Sequence, residues 1–125
     1  MRLSLKKSFN NWVTVKDSEG NEVKFLLDYF TREQEQHLQS LIWQVGQKGA
    51  DSYLGLQYAQ YYIKYCVKDW QGIVDDNDKP VKCVVINDEL KDDIWWALVK
   101  DPSQALTLQS EFDKELQFTF NDKKK

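Results

Sequence analysis

The residues that could hold a metal ion are concentrated in one acidic run, Asp75-Asp76-Asn77-Asp78. Calcium prefers carboxylate and amide oxygens, and an EF-hand loop places them at fixed positions along the chain. A loop that starts at Asp75 would have Pro80 where the sharp turn needs glycine and Ile86 where a bidentate glutamate belongs. The spacing is therefore wrong for calcium. The run is typical of a tight turn, in which Asx side chains bond the nearby backbone.

Glu89 and Lys91 closely follow an apolar run and could form half of a metal-dependent nuclease site. In such sites carboxylates bind the metal ion and a lysine assists the attacking water, and Asp78 would be a further carboxylate. The glutamate and the lysine must then project from one strand to one face. Asn87 and Asp88 instead indicate a helix cap, after which acidic residues interact favourably with the helix dipole. We expect no enzyme activity, no metal and no cofactor, and a nuclease stays the alternative to a binding protein.

The sequence contains no grouping typical of nucleophilic catalysis or of a zinc site. His37 is the single histidine and stands among Gln and Glu residues, so we expect it on the surface. Cys66 and Cys83 form no Cys-x-x-Cys motif, and in a cytosolic protein they are expected to be reduced thiols in the core. One disulfide between them is the alternative. The glycines are scattered and form no phosphate-binding loop.

Composition and charge favour a small cytoplasmic binding protein. The chain has 125 residues, a net charge of −3 and 14% aromatic residues. An acidic balance argues against a nucleic-acid partner. The longest apolar run, residues 94–99, is too short to cross a membrane, and residues 1–7 lack the apolar segment of a secretory signal.

Three tryptophans are the candidates for a partner-binding surface. Trp43 lies about 140° around its predicted helix from Leu38, Trp96 faces away from Ile94, and Trp95 borders the apolar face. Tryptophan is enriched among the interface residues that dominate binding energy. We therefore expect Trp96, Trp43 and Trp95 to contact a protein partner. Coverage of these rings by another layer of the same domain is the alternative.

The elements that must position these residues begin with a β-hairpin. Strand-forming residues 12–15 and 22–27 flank a turn cluster that contains Gly20 and Asn21. Thr31 and Gln34 then form a capping box that begins a first helix. We expect this helix to end at Gly46 and Gly49. Its apolar positions, at helical spacing, are Leu38, Leu41, Ile42 and Val45.

The second helix, from residue 51 or 52 to about residue 69, is predicted to be the buried centre of the fold. Apolar residues cover most of its sides, and a helix that is apolar nearly all round is buried. We expect the tyrosines at helical spacing along it to be core residues. Its single polar stripe consists of Gln57, Gln60, Lys64 and Lys68.

The C-terminal half is predicted to contain a second hairpin and two helices. The acidic run and Lys79-Pro80 join residues 72–74 to residues 81–86. A helix capped at Asn87 or Asp88 follows and ends near Lys100, and Asp101-Pro102 begins the last helix. Apolar positions of that last helix are Leu108, Phe112 and Leu116.

The sequence thus predicts the α+β class. We expect a helix-dominated single domain over residues 1–120, with an N-terminal β-hairpin, a central buried helix, a second β-hairpin and two C-terminal helices. Residues 121–125 are expected to form a disordered basic tail.

Residues 54–116 resemble the tail assembly chaperones of long-tailed phages and prophages. In that family a helix leads into a Trp-x-Gly hairpin with an acidic turn and a proline, and short helices follow. The matching residues here are Trp70, Gly72, Asp75, Asp76 and Pro80. The N-terminal hairpin lies outside the resemblance.

The resemblance implies a function without chemistry. Such a protein binds the long helical tape-measure protein, keeps it soluble and helps tail-tube subunits assemble around it by protein contacts. A second copy of the chain is a further candidate partner. The alternative within the binding class is another small phage structural or adaptor protein, such as a head–tail connector subunit.

Overall fold

The computed structural model describes residue 1 and residues 9–17, 19–48 and 52–116, without the side chains of 44–48 and 52–54. The predictions for Gly49, Asp51 and the tail at 121–125 lie outside these residues. In chain order the elements are β1 (Asn11–Lys16), β2 (Glu22–Leu27), α1 (Arg32–Lys48), α2 (Ser52–Cys66), β3 (Val67–Gln71), β4 (Val85–Ile86), β5 (Glu89–Leu90), α3 (Asp92–Val99) and α4 (Pro102–Leu116). The predicted α+β class is confirmed, and helices dominate.

The first hairpin forms as predicted and pairs β1 with β2 in antiparallel register. Its turn is held by the Asp17 carboxylate, which accepts hydrogen bonds from the backbone N–H groups of Glu19 and Asn21 at 2.9 and 2.8 Å. Alternate residues of both strands face the core, as expected of an antiparallel sheet with one buried face. The buried positions are Val13, Val15, Val23, Phe25 and Leu27.

The third strand of this sheet differs from the prediction, which continues the second helix to about residue 69. That helix ends at Cys66, and β3 pairs antiparallel with β2, placing Phe25 opposite Trp70. Val67 and Trp70 are buried while Asp69 and Gln71 are exposed. The short segment can satisfy a helical apolar pattern as well as an extended one, and pairing with β2 decides in favour of the strand.

Helix α1 begins with the predicted capping box. The Thr31 backbone N–H donates to Gln34 Oε1 at 2.9 Å, and the Gln34 N–H donates to Thr31 Oγ1 at 3.2 Å. Leu38 and Leu41 are buried, whereas Ile42 is 36% exposed. The helix continues through Gly46 and ends at Lys48, within the segment bounded by Gly46 and Gly49 where its end was predicted.

Helix α2 is the centre of the fold, as predicted. It packs against α1, α3, α4 and β5. Tyr62, Ile63 and Cys66 are fully buried. Tyr62 also donates its hydroxyl to Asp113 Oδ1 on α4 at 2.7 Å, so this phenol has a polar partner despite its burial.

The acidic run forms the predicted tight turn. The carboxylate of Asp75 accepts the N–H groups of Asn77 and Lys79 at 2.8 and 3.0 Å. Backbone pairing across the turn consists of a bridge between Val74 and Pro80 and of two hydrogen bonds at 2.9 Å, from Asp75 N–H to Lys79 O and from Val81 N–H to Ile73 O. The chain therefore reverses in the predicted hairpin, although residues 72–74 and 81–84 form no regular strands.

A two-stranded ribbon, β4 with β5, occupies the place of the predicted helix cap. Asn87 and Asp88 form its turn with φ of 53° and 65°. Two successive residues with positive φ are typical of the turn that joins short antiparallel strands, and Asn and Asp tolerate that conformation. The Asp88 carbonyl accepts hydrogen bonds from Gln34 of α1 and Lys68 of β3, both at 2.8 Å.

Of the two C-terminal helices, α3 starts later than predicted and α4 starts where it was predicted. Helix α3 begins at Asp92, and its one fully buried residue is Val99. Helix α4 is capped by Asp101, whose carboxylate accepts the Ser103 N–H at 3.1 Å. Its predicted apolar positions are buried, and Phe112 packs edge-on against Phe25 with ring centroids 5.0 Å apart.

Candidate protein-binding surface

Trp95 and Trp96 stand side by side on α3, with ring centroids 6.1 Å apart. Trp95 is half-buried, as predicted, and its Nε1 donates a hydrogen bond to the Gln60 carbonyl at 2.9 Å. This bond ties the indole of α3 to the backbone of α2. Trp96 is 52% exposed and packs its ring edge against Trp95.

An aromatic series connects Trp96 to the first helix. We use this name for the four rings of His37, Tyr61, Trp95 and Trp96. Neighbouring centroids lie 4.7 Å apart for His37 and Tyr61 and 5.3 Å apart for Tyr61 and Trp95. Contacts of this kind stabilise a pair by about 0.5–1.5 kcal/mol beyond the burial of area. The exposed indole of Trp96 therefore packs against Trp95, which is itself packed against Tyr61.

Lys64 contacts Trp95 of the aromatic series and two nearby carboxylates. It is 8% exposed, although the sequence placed it on the polar stripe of α2. Its Nζ lies 4.4 Å from the Trp95 ring centroid, 2.7 Å from Asp92 Oδ1 and 3.5 Å from Glu89 Oε1. Burial alone would lower the pKa of Lys64, but the hydrogen bond to Asp92 and the charges of Glu89 and Asp92 outweigh it and raise the pKa. The ammonium group thus joins α2, β5 and the start of α3.

His37 is half-buried rather than on the surface, which corrects the prediction. Its Nδ1 lies 2.7 Å from the hydroxyl of Tyr65. Burial, followed by the charges of Glu89 and Tyr61, raises the pKa of Tyr65 to about 12. This hydroxyl is therefore protonated at neutral pH and is available as a hydrogen-bond donor. The bond fixes α1 against α2 at the end of the aromatic series.

The prediction that Trp43 and Trp96 project from the polar sides of their helices is confirmed. Trp43 is 68% exposed, the largest exposed fraction among the described tryptophans. It lies on α1 and makes no ring contact with Trp95 or Trp96 in the described part of the chain. The structure therefore brings Trp95 and Trp96 together but leaves Trp43 as a separate exposed ring.

Trp12 is a further exposed indole that the sequence analysis did not single out. It is 44% exposed and projects from the outer face of the sheet, opposite buried Val13 and Val15. The alternation of Trp12, Val13, Thr14 and Val15 contained this signal, because successive strand residues point to opposite faces.

The residues proposed for a nuclease have other partners. Glu89 lies on β5 and pairs with Lys64, and Lys91 Nζ lies 3.7 Å from Asp93 Oδ2. Asp78 lies in the acidic turn with φ of 59°. In residues 9–17, 19–48 and 52–116, no three His, Cys, Asp or Glu side chains converge to hold a metal ion.

Both cysteines are free thiols with raised pKa values. Complete burial raises the pKa of Cys66. Partial burial, with a smaller effect of Asp69, raises the pKa of Cys83 to about 11. Since the thiolate is the nucleophilic form, neither thiol is activated at neutral pH.

No family model, curated protein or solved structure matches this chain. Among the helices that the structure describes, none combines the length and apolar character needed to cross a membrane. What the surface can do follows from its own residues. It offers a large, flat apolar ring next to the carboxylates of Asp92 and Asp93, an arrangement suited to contact with another protein.

Proposed function

We propose that this domain binds a helical segment of another protein through the surface around Trp96. The observation that supports the proposal is the exposed indole of Trp96, which packs against the half-buried ring of Trp95. Trp96 is 52% exposed, while its neighbour Trp95 is fixed by the hydrogen bond to Gln60 and by Lys64. An ordered ring loses little conformational freedom when a partner covers it.

The area involved is large enough for a binding hot spot. Covering the exposed half of one indole removes on the order of 100 Å² of mostly apolar surface from water. At about 25 cal/mol per Å² this contributes roughly 2–3 kcal/mol, which is the range of residues that dominate interfaces.

We further propose that the partner is a tape-measure-like protein and that the domain acts as a phage tail assembly chaperone in the host cytoplasm, together with tail-tube protein. The order of elements supports this form of the proposal. Helix α2 leads through Trp70 and Gly72 into the acidic turn at Asp75, and two helices follow. This is the order that the family resemblance implies.

The residues that carry the resemblance have structural roles. Trp70 is 6% exposed, and its Nε1 donates to the Val81 carbonyl on the far side of the acidic turn at 2.8 Å. Gly72 adopts a φ of 96°. Partner contacts would then come from exposed side chains such as Trp96, and not from the motif itself.

The test is capture of a candidate tape-measure-like protein encoded beside this chain. Tagged wild type, Trp96→Ala, Trp43→Ala and Trp12→Ala would be compared in pull-downs, with thermal melts of each variant. Trp12→Ala is the matched control because it removes a similarly exposed indole that lies on β1 and does not belong to the aromatic series. We expect Trp96→Ala to weaken capture most at an unchanged melting temperature. Undiminished capture by a folded Trp96→Ala variant would contradict the proposed surface.

A further inference from the structure

A groove of about 800 Å³ lies between the first hairpin, the acidic turn and the first half of α4. No residue of the aromatic series contributes to it. Its floor is apolar and includes Val15, Val23, Phe25, Ile73, Val74 and Leu108. Most of the floor is already buried, and the apolar surface open to a ligand is that of Val74, which is 51% exposed, and of half-buried Ile73. A groove of this size can hold several apolar side chains of a partner.

The rim of the groove carries a strong excess of negative charge. Asp17, Glu19, Asp78 and Asp101 line it, with Lys16 as the one cation among the lining residues. The ion pairs found in the described chain involve none of these four carboxylates. Among the residues that the structure describes, no ion pair neutralises the rim charges, and a basic ligand would supply partners for them.

The groove is built by turns with fixed geometry. Asp17 and Asp101 each use one carboxylate oxygen to hold the turn or helix end from which they project. Gly72 lies at the wall with φ of 96°, and a Cβ there would meet the Glu22 carbonyl oxygen at 3.1 Å. A preformed groove binds its ligand without the cost of ordering its own walls.

We propose that this groove binds a basic amphipathic segment of a partner protein. Apolar side chains of the segment would cover the floor, and its Lys or Arg residues would lie against the carboxylates of the rim. The choice of occupant rests on charge complementarity, which favours an approaching basic surface over a neutral or acidic one. This site is separate from the Trp96 surface and goes beyond the function proposed above.

The probe for the test is a labelled helical peptide of roughly 14 residues, with leucine along one face and lysine elsewhere, about 21 Å long. Its twin has glutamate in place of every lysine. Fluorescence anisotropy would give the affinity of the full chain for each peptide at low and high salt. We expect the lysine peptide to bind and the glutamate peptide not to bind, with the difference decreasing as salt is raised.

Two variants remove rim charge without changing shape, Asp78→Asn and Glu19→Gln. Asparagine tolerates the positive φ of residue 78, so the turn is kept. We expect the double variant to lose about threefold to tenfold in affinity for the lysine peptide. The matched control is Asp76→Asn with Glu115→Gln, which removes two exposed carboxylates that do not line the groove. Equal losses in both double variants would overturn the proposal in favour of general charge attraction.

The apolar floor has its own pair of variants. Val74→Ala shortens a floor residue, and Ile86→Ala shortens a residue outside the groove, and both wild-type side chains are 51% exposed. We expect weaker peptide binding for Val74→Ala and unchanged binding for Ile86→Ala. Unchanged binding for Val74→Ala would overturn the proposal. Trp96→Ala should leave peptide binding unchanged, so failure of the groove and failure of the Trp96 surface are distinguishable.

Discussion

Replacing Lys64 tests how the base of the Trp96 surface is held. Lys64→Met keeps the stem that packs beside Trp95 and removes the ammonium group that lies 2.7 Å from Asp92 and 4.4 Å from the Trp95 centroid. Lys64→Ala removes both. Comparing the two variants separates the contribution of the charge from that of the packing.

The magnitude follows from the exposure of the partners. The side chains of Asp92 and Glu89 are 85% and 39% exposed, so both carboxylates stay hydrated when the lysine is lost. An exposed ion pair contributes about 0.2–1 kcal/mol, and a cation over an indole about 0.5–1 kcal/mol. Returning the ammonium to water in the unfolded state offsets part of this. We expect Lys64→Met to lower the free energy of unfolding by about 1 kcal/mol, since the raised pKa shows that attraction outweighs burial.

Lys64→Ala should cost about 3 kcal/mol, because it also removes roughly three buried methylene groups at about 0.8 kcal/mol each. Urea denaturation followed by tryptophan fluorescence would give both values. Lys82→Met is the control, because Lys82 is exposed and has no ion pair in the described chain. A gain in stability for Lys64→Met would refute the reasoning, because it would mean that burial of the charge dominates.

Three further predictions concern the core, the pH dependence and the acidic turn. Ile63→Ala should lower the free energy of unfolding by about 2–5 kcal/mol in chemical denaturation, because Ile63 is fully buried. A loss below about 1 kcal/mol would mean that α2 is peripheral. Burial raises the pKa of both Tyr58 and Tyr62 above the ordinary value of 10.0, and it raises the pKa of the two thiols above 9.0. The folded state holds these protons longer, so stability should fall as pH rises above about 9, by up to about 1.4 kcal/mol per group and pH unit. Burial lowers the pKa of Lys68, which affects stability in the opposite direction. In denaturation experiments at pH 7 to 11, the stability of Tyr62→Phe should decline less steeply with pH than that of wild type. An identical slope would contradict the assignment of this decline to Tyr62. Calorimetric titration with calcium, magnesium and manganese should show no binding tighter than about 1 mM, because Asp75 Oδ1 already bonds the backbone of the acidic turn and the spacing does not fit a calcium loop. A micromolar site lost in Asp78→Ala with Glu89→Ala would revive the nuclease.

Local chemical signals predicted the parts of the fold that depend on nearby residues. The capping box at Thr31, the Asp101-Pro102 helix start and the turn after Asp75 all involve side chains that bond a backbone group within a few residues. Such bonds form wherever the local sequence allows them. Burial of α2 was predictable for a similar reason, because an apolar surface on most sides of a helix requires cover from every direction.

The errors lie where distant residues decide the outcome. The segment from Val67 becomes a strand because β2 is available for pairing, and the turn at Asn87-Asp88 is held by Gln34 and Lys68 from other elements. Lys64 is buried because Asp92, Glu89 and Trp95 arrive from later in the chain. The pattern of apolar and polar residues within one segment does not reveal these contacts, because the partners are distant in sequence.

The candidate site was predictable in part. Helical periodicity placed Trp96 and Trp43 on polar faces, and their exposed fractions agree. The same periodicity could not show that Trp96 rests on Trp95 and Tyr61, or that Trp43 lies apart from both, because those relations depend on how three helices pack. The groove beside the acidic turn was not predictable, since its walls come from three segments distant in sequence.

The most direct measurement is the affinity of the purified tape-measure-like partner for wild type, Trp96→Ala and Trp12→Ala by isothermal titration calorimetry. The proposed surface predicts that Trp96→Ala weakens binding by about 2–3 kcal/mol, which is roughly thirtyfold to more than a hundredfold, while Trp12→Ala changes it by less than about threefold. All three chains should unfold at the same temperature. Equal affinities for wild type and a folded Trp96→Ala variant would contradict the central claim.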